Sequence, residues 1–120
     1  MNLQNKRLTI AIDYDGTFAA DPALFKSLVQ TMKMFGHRVV MVTGREDIPE
    51  MANPVREAVQ DLMPIVFSAG HWKTDAARKA GYEVDIWIDD NPSYIRPPQT
   101  LVEIREDLRK YQNNFFTRPQ

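Results

Sequence analysis

Short apolar segments alternate with helix-like segments along the whole chain, and this alternation is what most constrains the fold. Four segments rich in β-branched residues are predicted to be strands: Leu8–Ile12, Arg38–Val42, Ile65–Phe67 and Val84–Ile88. Each is followed by residues with helical spacing or helix-capping signals. A βαβαβαβα order predicts an α/β fold, in the form of a three-layer α/β/α sandwich with a central parallel sheet covered by helices on both faces.

The predicted helices have recognisable starts. Asp21-Pro22 supplies an N-cap and a first-turn proline, and Gly36 ends that helix. Asn53-Pro54 is predicted to start the second helix, and residues 74–80 form the third. Thr100 and Glu103 have the spacing of a capping box, which starts the last helix. Apolar residues predicted to face the core are Leu24, Leu28, Met32 and Phe35 in the first helix, Val55, Val59 and Leu62 in the second, and Leu101, Ile104, Leu108 and Tyr111 in the last.

Composition limits the classes of function. The 120 residues are predicted to form one domain, 1–120, with a loosely held tail at about 113–120. A net charge of −1 and a pI near 6.1 argue against a wide basic surface for nucleic acid. The early apolar run is too short to span a membrane, and the absence of cysteine fits a reducing compartment. We therefore expect a cytoplasmic protein without a membrane partner, for which nucleic acid enters only as a substrate.

Polar side chains that can handle phosphate or metal follow three of the strands. Asp13 and Asp15 follow the first, Thr43 the second, and Asp89 with Asp90 the fourth. If the first and fourth strands are neighbours, their four carboxylates share a small volume at the carboxyl edge of the sheet. Two such charges 4 Å apart repel by about 1 kcal/mol in water and about 4 kcal/mol near a protein surface. A hard cation such as Mg²⁺ relieves this repulsion, so the sequence predicts a magnesium site.

The same segments resemble a known superfamily. "IAIDYDGT", "VMVTGRED" and "IWIDDNP" are similar to motifs one, two and four of the haloacid dehalogenase (HAD) phosphotransferases, in the family's order and over residues 8 to 95. The resemblance implies a HAD-like, Rossmannoid phosphatase that uses Mg²⁺ to hydrolyse a phosphomonoester. The family often inserts a cap domain before the second motif or after it. Each of those intervals holds only a helix and a strand here, so we expect a capless enzyme.

The resemblance also implies roles for individual residues. Asp13 is expected to be the nucleophile that forms an aspartyl-phosphate. Asp15 is expected to protonate the leaving oxygen, to take a proton from the hydrolytic water, and to face the metal with its backbone carbonyl. Thr43 is expected to donate a hydrogen bond to a phosphoryl oxygen. Asp90 is favoured as the direct magnesium ligand, with Asp89 as its support.

Two positively charged positions are left open by the sequence. The family's lysine is either Lys73 or Lys79; Lys73 is favoured because a cation at a helix start needs an anion nearby, whereas Lys79 suits a helix end. Arg45 either meets the substrate phosphate or pairs with Glu46 or Asp47.

Glycines and a threonine complete the predicted substrate-binding set. Gly16 permits a sharp turn and Thr17 can fasten it with its hydroxyl, while Gly44 lies between Thr43 and Arg45. His71-Trp72 can either stack on a ring of the substrate or pack inside the protein.

The substrate and two other classes of function stay open. An open site is compatible with a phosphorylated small molecule or a macromolecular end, and with an oligomer that shields the site from water. A non-catalytic module that binds metal and phosphate is one alternative. A signalling receiver domain is the other, although its phosphoacceptor would have to follow the third strand, where this chain has Ser68-Ala69-Gly70.

Overall fold

The computed structural model describes residues 6–115, and the side chains of 6–111. Within that range the protein is an α/β structure with four parallel strands and four α-helices. The strands are β1 (Thr9–Ile12), β2 (Arg38–Thr43), β3 (Ile65–Phe67) and β4 (Ile86–Ile88), and the helices are α1 (Pro22–Met34), α2 (Pro49–Val59), α3 (Lys73–Lys79) and α4 (Leu101–Phe115). Single 3₁₀ turns, Phe18–Ala20 and Pro92–Tyr94, follow β1 and β4. The predicted alternation of strands and helices is confirmed.

The strand order is β3-β2-β1-β4, so β1 and β4 are neighbours, as the magnesium hypothesis requires. Ile10 of β1 is in register with Val39 of β2 on one side and with Ile86 of β4 on the other. The chain therefore runs outward from β1 in one direction through β2 and β3, and then crosses back to place β4 on the other side. This reversal creates a crevice beyond the carboxyl ends of β1 and β4.

Helices cover the two faces of the sheet unequally. The larger core lies under α1 and α2, where Val29, Val55 and Val59 pack on Ile12 and Met41. The opposite face is covered by α3, through Ala77 packed near residues of β1 and β2. Burial of these aliphatic side chains, each contributing about 1.5–3 kcal/mol, holds the layers together.

Two details of the predicted helices are wrong. The second helix starts at Pro49 and has Pro54 in its interior. Proline is favoured in the first turn of a helix, and Pro49, rather than the predicted Pro54, occupies that position. In α1 the inward face is centred on Val29, which leaves Leu24 and Phe35 of the predicted stripe exposed.

The predicted inward face of the last helix is also wrong. The capping box forms, since the Thr100 N–H donates to Glu103 and the Glu103 N–H donates to the Thr100 hydroxyl. However, every described side chain from Leu101 to Tyr111 is exposed, with Leu101 at 71% and Leu108 at 51%. Helical periodicity defines an apolar face but does not determine what that face packs against. After the Pro97-Pro98 loop, the apolar face of this helix is not buried against the sheet.

The predicted tail, 113–120, is partly helical. Residues 113–115 form the last turn of α4, and residues 116–120 lie outside the described part of the chain. No described helix has both the length and the apolar character needed to cross a lipid bilayer.

Asp85 ties the start of β4 to the start of β1. Its carboxylate accepts a hydrogen bond from the Thr9 N–H at 2.9 Å, and its own N–H donates to the Thr9 carbonyl at 2.8 Å. Lys6 adds an ion pair at 3.1 Å. The hydrogen bond from Thr9, helped by that from Lys6, lowers the pKa of Asp85. The ionised carboxylate therefore stabilises the edge of the sheet.

We expect Asp85→Ala to lower the free energy of unfolding by about 1 kcal/mol at pH 7, because the Thr9 N–H loses a charged acceptor. A lowered pKa means that this stabilisation is complete above about pH 4, where the unfolded carboxyl is ionised, and disappears as pH falls through the lower folded value. Urea unfolding at pH 7 and pH 3 should show the difference between variant and parent shrinking in acid. Glu57→Ala, on the exposed side of α2, is the control, with a change below about 0.5 kcal/mol.

Candidate active site

Three aspartates meet at the crevice between β1 and β4. Asp13 follows β1, and its N–H extends the sheet by donating to the Ile88 carbonyl at 3.0 Å. Asp89 and Asp90 follow β4. One carboxylate oxygen from each of the three lies within 4.8 Å of the others. They line a cleft of about 430 Å³, so three of the four carboxylates predicted to share this volume are grouped there, and Asp15 is not one of them.

Lys73 lies at the centre of this cluster. Its ammonium donates hydrogen bonds to Asp13 Oδ1 at 2.8 Å and to Asp89 Oδ2 at 2.6 Å, and its side chain is almost fully buried. Lys73 is the first residue of α3, so that helix delivers the cation to the strand ends. Lys79 lies exposed in the last turn of the same helix. Of the two candidates, Lys73 is therefore the lysine in contact with Asp13.

The charges of the cluster are only partly balanced. Burial raises the pKa of Asp13 to about 6, although the hydrogen bond from Lys73 acts to lower it. Burial acts to lower the pKa of Lys73, but its hydrogen bonds to Asp13 and Asp89 outweigh this and raise it. Three carboxylates and one ammonium leave two negative charges in excess. An all-oxygen donor set with this excess fits a hard divalent cation.

The two adjacent aspartates have different partners. Both oxygens of Asp89 are engaged, one by Lys73 and the other by the Asn91 N–H at 2.9 Å. The Asp90 carboxylate is more exposed, and its contact with the Thr17 hydroxyl is long, at 3.4 Å. The geometry thus favours Asp90 over Asp89 as the direct ligand of a cation.

Gly16 and Thr17 join the loops that follow β1 and β4. Gly16 has a φ of +79°, and a Cβ atom there would lie 2.7 Å from Cγ of Asp90. The buried Thr17 hydroxyl accepts a hydrogen bond from the Asp90 N–H at 3.2 Å and lies 3.3 Å from Asp13 Oδ2. Neither residue lines the cleft. Their predicted contact with substrate stays a prediction, whereas their contact with Asp90 is part of the fold.

Three site residues were predicted at the end of β2 and directly after it, and two of them reach the cleft. Gly44 and Arg45 line it. Thr43 is fully buried, and its hydroxyl accepts a hydrogen bond from the Arg45 N–H at 3.3 Å. The hydrogen bond predicted from Thr43 to a phosphoryl oxygen therefore stays a prediction.

Arg45 and Asp15 form a two-pronged ion pair that the sequence did not predict. Arg45 donates from Nε and Nη2 to the two oxygens of Asp15, at 2.9 and 2.8 Å, and its guanidinium lies over the ring of Tyr14. Of the two alternatives left open for Arg45, the pairing with Glu46 or Asp47 is wrong, since Asp47 pairs with Arg56 at 2.8 Å; contact with a substrate phosphate stays a prediction. The hydrogen bonds from Arg45 lower the pKa of Asp15.

Asp15 is consequently apart from the three grouped carboxylates. Its side chain is 59% exposed, lines the cleft, and points both oxygens at Arg45. In this arrangement its carboxylate is not placed to bind the same cation as Asp13, Asp89 and Asp90. The role predicted for its backbone carbonyl as a metal ligand stays a prediction.

Four further residues around the cleft were not singled out from the sequence. Asn91 supports Asp89, Met51 accepts a hydrogen bond from Arg45 through its carbonyl, and Tyr14 stacks under Arg45, while Tyr94 lines the cleft. Asn91 lies inside the quoted segment "IWIDDNP" but was given no role. For Tyr14 the sequence offered one sign of a role at the site, its bulky side chain between Asp13 and Asp15 of the D-x-D motif. For Met51 and Tyr94 the sequence offered no such sign.

The chain was compared with protein-family models, curated proteins and solved structures. No family model, curated protein or solved structure matches it.

We expect Lys73→Met to lower the free energy of unfolding by about 3–5 kcal/mol in the presence of EDTA, because it leaves Asp13 and Asp89 buried without their cation. Urea unfolding followed by circular dichroism measures this change. Lys79→Met removes the same charge from the exposed end of α3 and should change stability by less than about 0.5 kcal/mol. Equal effects of the two substitutions would contradict the central position of Lys73.

We expect Gly16→Ala to weaken divalent-cation binding, because its methyl group displaces the Asp90 carboxylate. Gly36→Ala is the matched control: Gly36 also has a positive φ, of +89°, but no atom lies within 4 Å of its built Cβ. Both variants should lose about 1–2 kcal/mol of stability from backbone strain. Calorimetric titration with Mg²⁺ should separate them, and an unchanged affinity in Gly16→Ala would show that Asp90 can move without cost.

Proposed function

We propose that this protein is a Mg²⁺-dependent phosphatase of the HAD-like type that hydrolyses a phosphomonoester through an aspartyl-phosphate on Asp13. The observation that carries the proposal is the buried Asp13 carboxylate, bonded to Lys73 and grouped with Asp89 and Asp90 at the switch point of the sheet. The three sequence motifs that resemble the superfamily lie at the ends of β1, β2 and β4, which supports the same interpretation.

Asp13 has the properties that a nucleophile needs. Its hydrogen bond to Lys73 fixes the carboxylate, and with a pKa of about 6 it is mostly ionised at pH 7. In the first step a carboxylate oxygen of Asp13 forms a bond to phosphorus while the bond from phosphorus to the leaving oxygen breaks. In the second step water attacks phosphorus, the bond to Asp13 breaks, and inorganic phosphate leaves.

Asp15 handles the protons of both steps. It gives a proton to the leaving oxygen and later accepts one from the attacking water, so the carboxyl is protonated again after the second step and loses that proton to solvent when phosphate leaves and the pair with Arg45 re-forms. Its ion pair with Arg45 holds it ionised before substrate arrives, because that pair lowers its pKa. A phosphate dianion competes well for a guanidinium. Binding of substrate phosphate to Arg45 would release Asp15 and allow it to pick up a proton.

Asp13, Asp89 and Asp90 are the residues that would hold Mg²⁺. When bound, the ion supplies positive charge that offsets the repulsion between the carboxylates and a substrate phosphate. Lys73 supplies a further positive charge beside Asp13, and Asn91 and Lys73 keep Asp89 in place.

The proposal includes the absence of a cap domain and a cytoplasmic location. Between Asp15 and Thr43 the structure has one 3₁₀ turn, α1 and β2, and between Thr43 and Lys73 it has α2 and β3. A site of this kind accepts a phosphorylated small molecule or a macromolecular end. The lack of cysteine fits a reducing cytoplasm.

One observation favours a second candidate, a module that binds metal and phosphate without turnover. The group expected to move protons, Asp15, is held by Arg45 and lies outside the cluster. A receiver domain is less well supported, because β3 is followed by Ser68-Ala69-Gly70 and thus by no carboxylate that could accept phosphate.

Hydrolysis of p-nitrophenyl phosphate with Mg²⁺ and with EDTA tests these candidates. The phosphatase predicts metal-dependent turnover that Asp13→Asn lowers by about 10³-fold or more, since the nucleophile is lost. It also predicts that Asp15→Asn loses turnover but keeps Mg²⁺ and phosphate binding within a few fold. Binding without turnover in the parent protein would indicate the module, and a stable phosphoaspartate formed from acetyl phosphate would indicate a receiver.

A further inference from the structure

A second cavity adjoins the cleft that holds the aspartates. It encloses about 920 Å³ along β3 and α3, and its wall includes Ser68, His71, Trp72 and Tyr94. Tyr94 lines both the cavity and the cleft, and Trp72 immediately precedes Lys73 in the chain. The two spaces are therefore adjacent, with the buried ammonium of Lys73 on the side of the cleft.

We propose that this cavity binds the planar aromatic part of a leaving nucleoside, the nucleobase of a nucleoside monophosphate, while the phosphate occupies the cleft. The inference rests on the proposed phosphatase function for its chemistry and adds the class of substrate. A volume of this order matches the range of pockets that hold small organic ligands, about 300–1,000 Å³.

The exposed aromatic rings are the first reason. The sequence left open whether His71-Trp72 packs inside the protein or stacks on a ring, and the structure has Trp72 37% exposed beside the cavity. Tyr94 is 62% exposed where the two spaces join. A base stacked on such a ring contributes about 1–3 kcal/mol, as judged by alanine substitution in single-stranded nucleic-acid sites.

The second reason is a buried polar group in the same wall. The Ser68 hydroxyl oxygen is buried and has no hydrogen-bond partner within the described residues. Such a group costs about 1–3 kcal/mol, and rotation of the Ser68 side chain toward the cavity would let a ring nitrogen or exocyclic oxygen of a base recover that cost by pairing with it. An aliphatic leaving group offers neither a stacking face nor this partner. Apolar and polar features of the cavity thus point to the same class of ligand.

A matched pair of substrates isolates the contribution of the base. Adenosine 5′-monophosphate and ribose 5-phosphate release the same kind of primary alcohol and differ in the base. We expect kcat/KM with Mg²⁺ to be about tenfold higher for the nucleotide, which corresponds to about 1.4 kcal/mol of stacking. Trp72→Ala should abolish this preference and Trp72→Phe should keep most of it. Tyr111→Ala, which removes an exposed ring on α4 away from the cavity, should leave the preference unchanged.

Binding of adenosine without phosphate makes the test independent of catalysis. In a Trp87→Phe background Trp72 is the one remaining tryptophan, and adenosine should quench its fluorescence. Calorimetry on the unsubstituted chain repeats the titration without relying on that variant. Adenosine binding in a protein that hydrolyses no phosphomonoester would refute the phosphatase but keep the cavity as a site for the base. Hydrolysis of both substrates with equal kcat/KM, together with no adenosine binding, would overturn the inference and leave the phosphatase standing.

Discussion

The buried ammonium of Lys73 is the interaction on which the site depends. It joins Asp13, 60 residues away in the chain, and Asp89, 16 residues away, so that the ends of β1 and β4 and the start of α3 are held together. Buried carboxylates this close together repel each other, and a buried ammonium without a carboxylate beside it would also destabilise the fold. The carboxylates and the ammonium are therefore stable in these positions only when they are present together. The remaining negative charge of the cluster makes a divalent cation a chemically reasonable occupant, and a phosphate would be accommodated only beside such a cation.

Around this cluster, some residues align the loops, and in the proposed mechanism others move protons. Thr17 and the close approach of Gly16 to Asp90 align the two loops, whereas the pair of Arg45 and Asp15 forms a separate charge-balanced element at the cleft. In the proposed mechanism, the second element changes when substrate phosphate reaches Arg45. In the same proposal, the cavity beyond Tyr94 would hold the rest of the substrate.

The last helix behaves differently from the rest of the molecule. Its start is stabilised by its own capping box, which is a local interaction. Its apolar face, from Leu101 to Tyr111, lies outside both hydrophobic cores. Periodicity identified the apolar residues that share this face, but the prediction that the face is buried is wrong, because burial depends on whether the preceding loop returns the helix to the sheet.

The sequence by itself determined the order of strands and helices and the carboxylates at the ends of β1 and β4, and it favoured Lys73 over Lys79 without deciding between them. These follow from periodicity, capping and the parallel sheet, which act over a few residues or through a general rule of topology. Only the tertiary structure decided that Arg45 pairs with Asp15, that Thr43 is buried, and that α4 leaves its apolar face exposed. Those outcomes depend on how loops distant in sequence approach each other in space. The residue pattern within one segment contains no information about that approach.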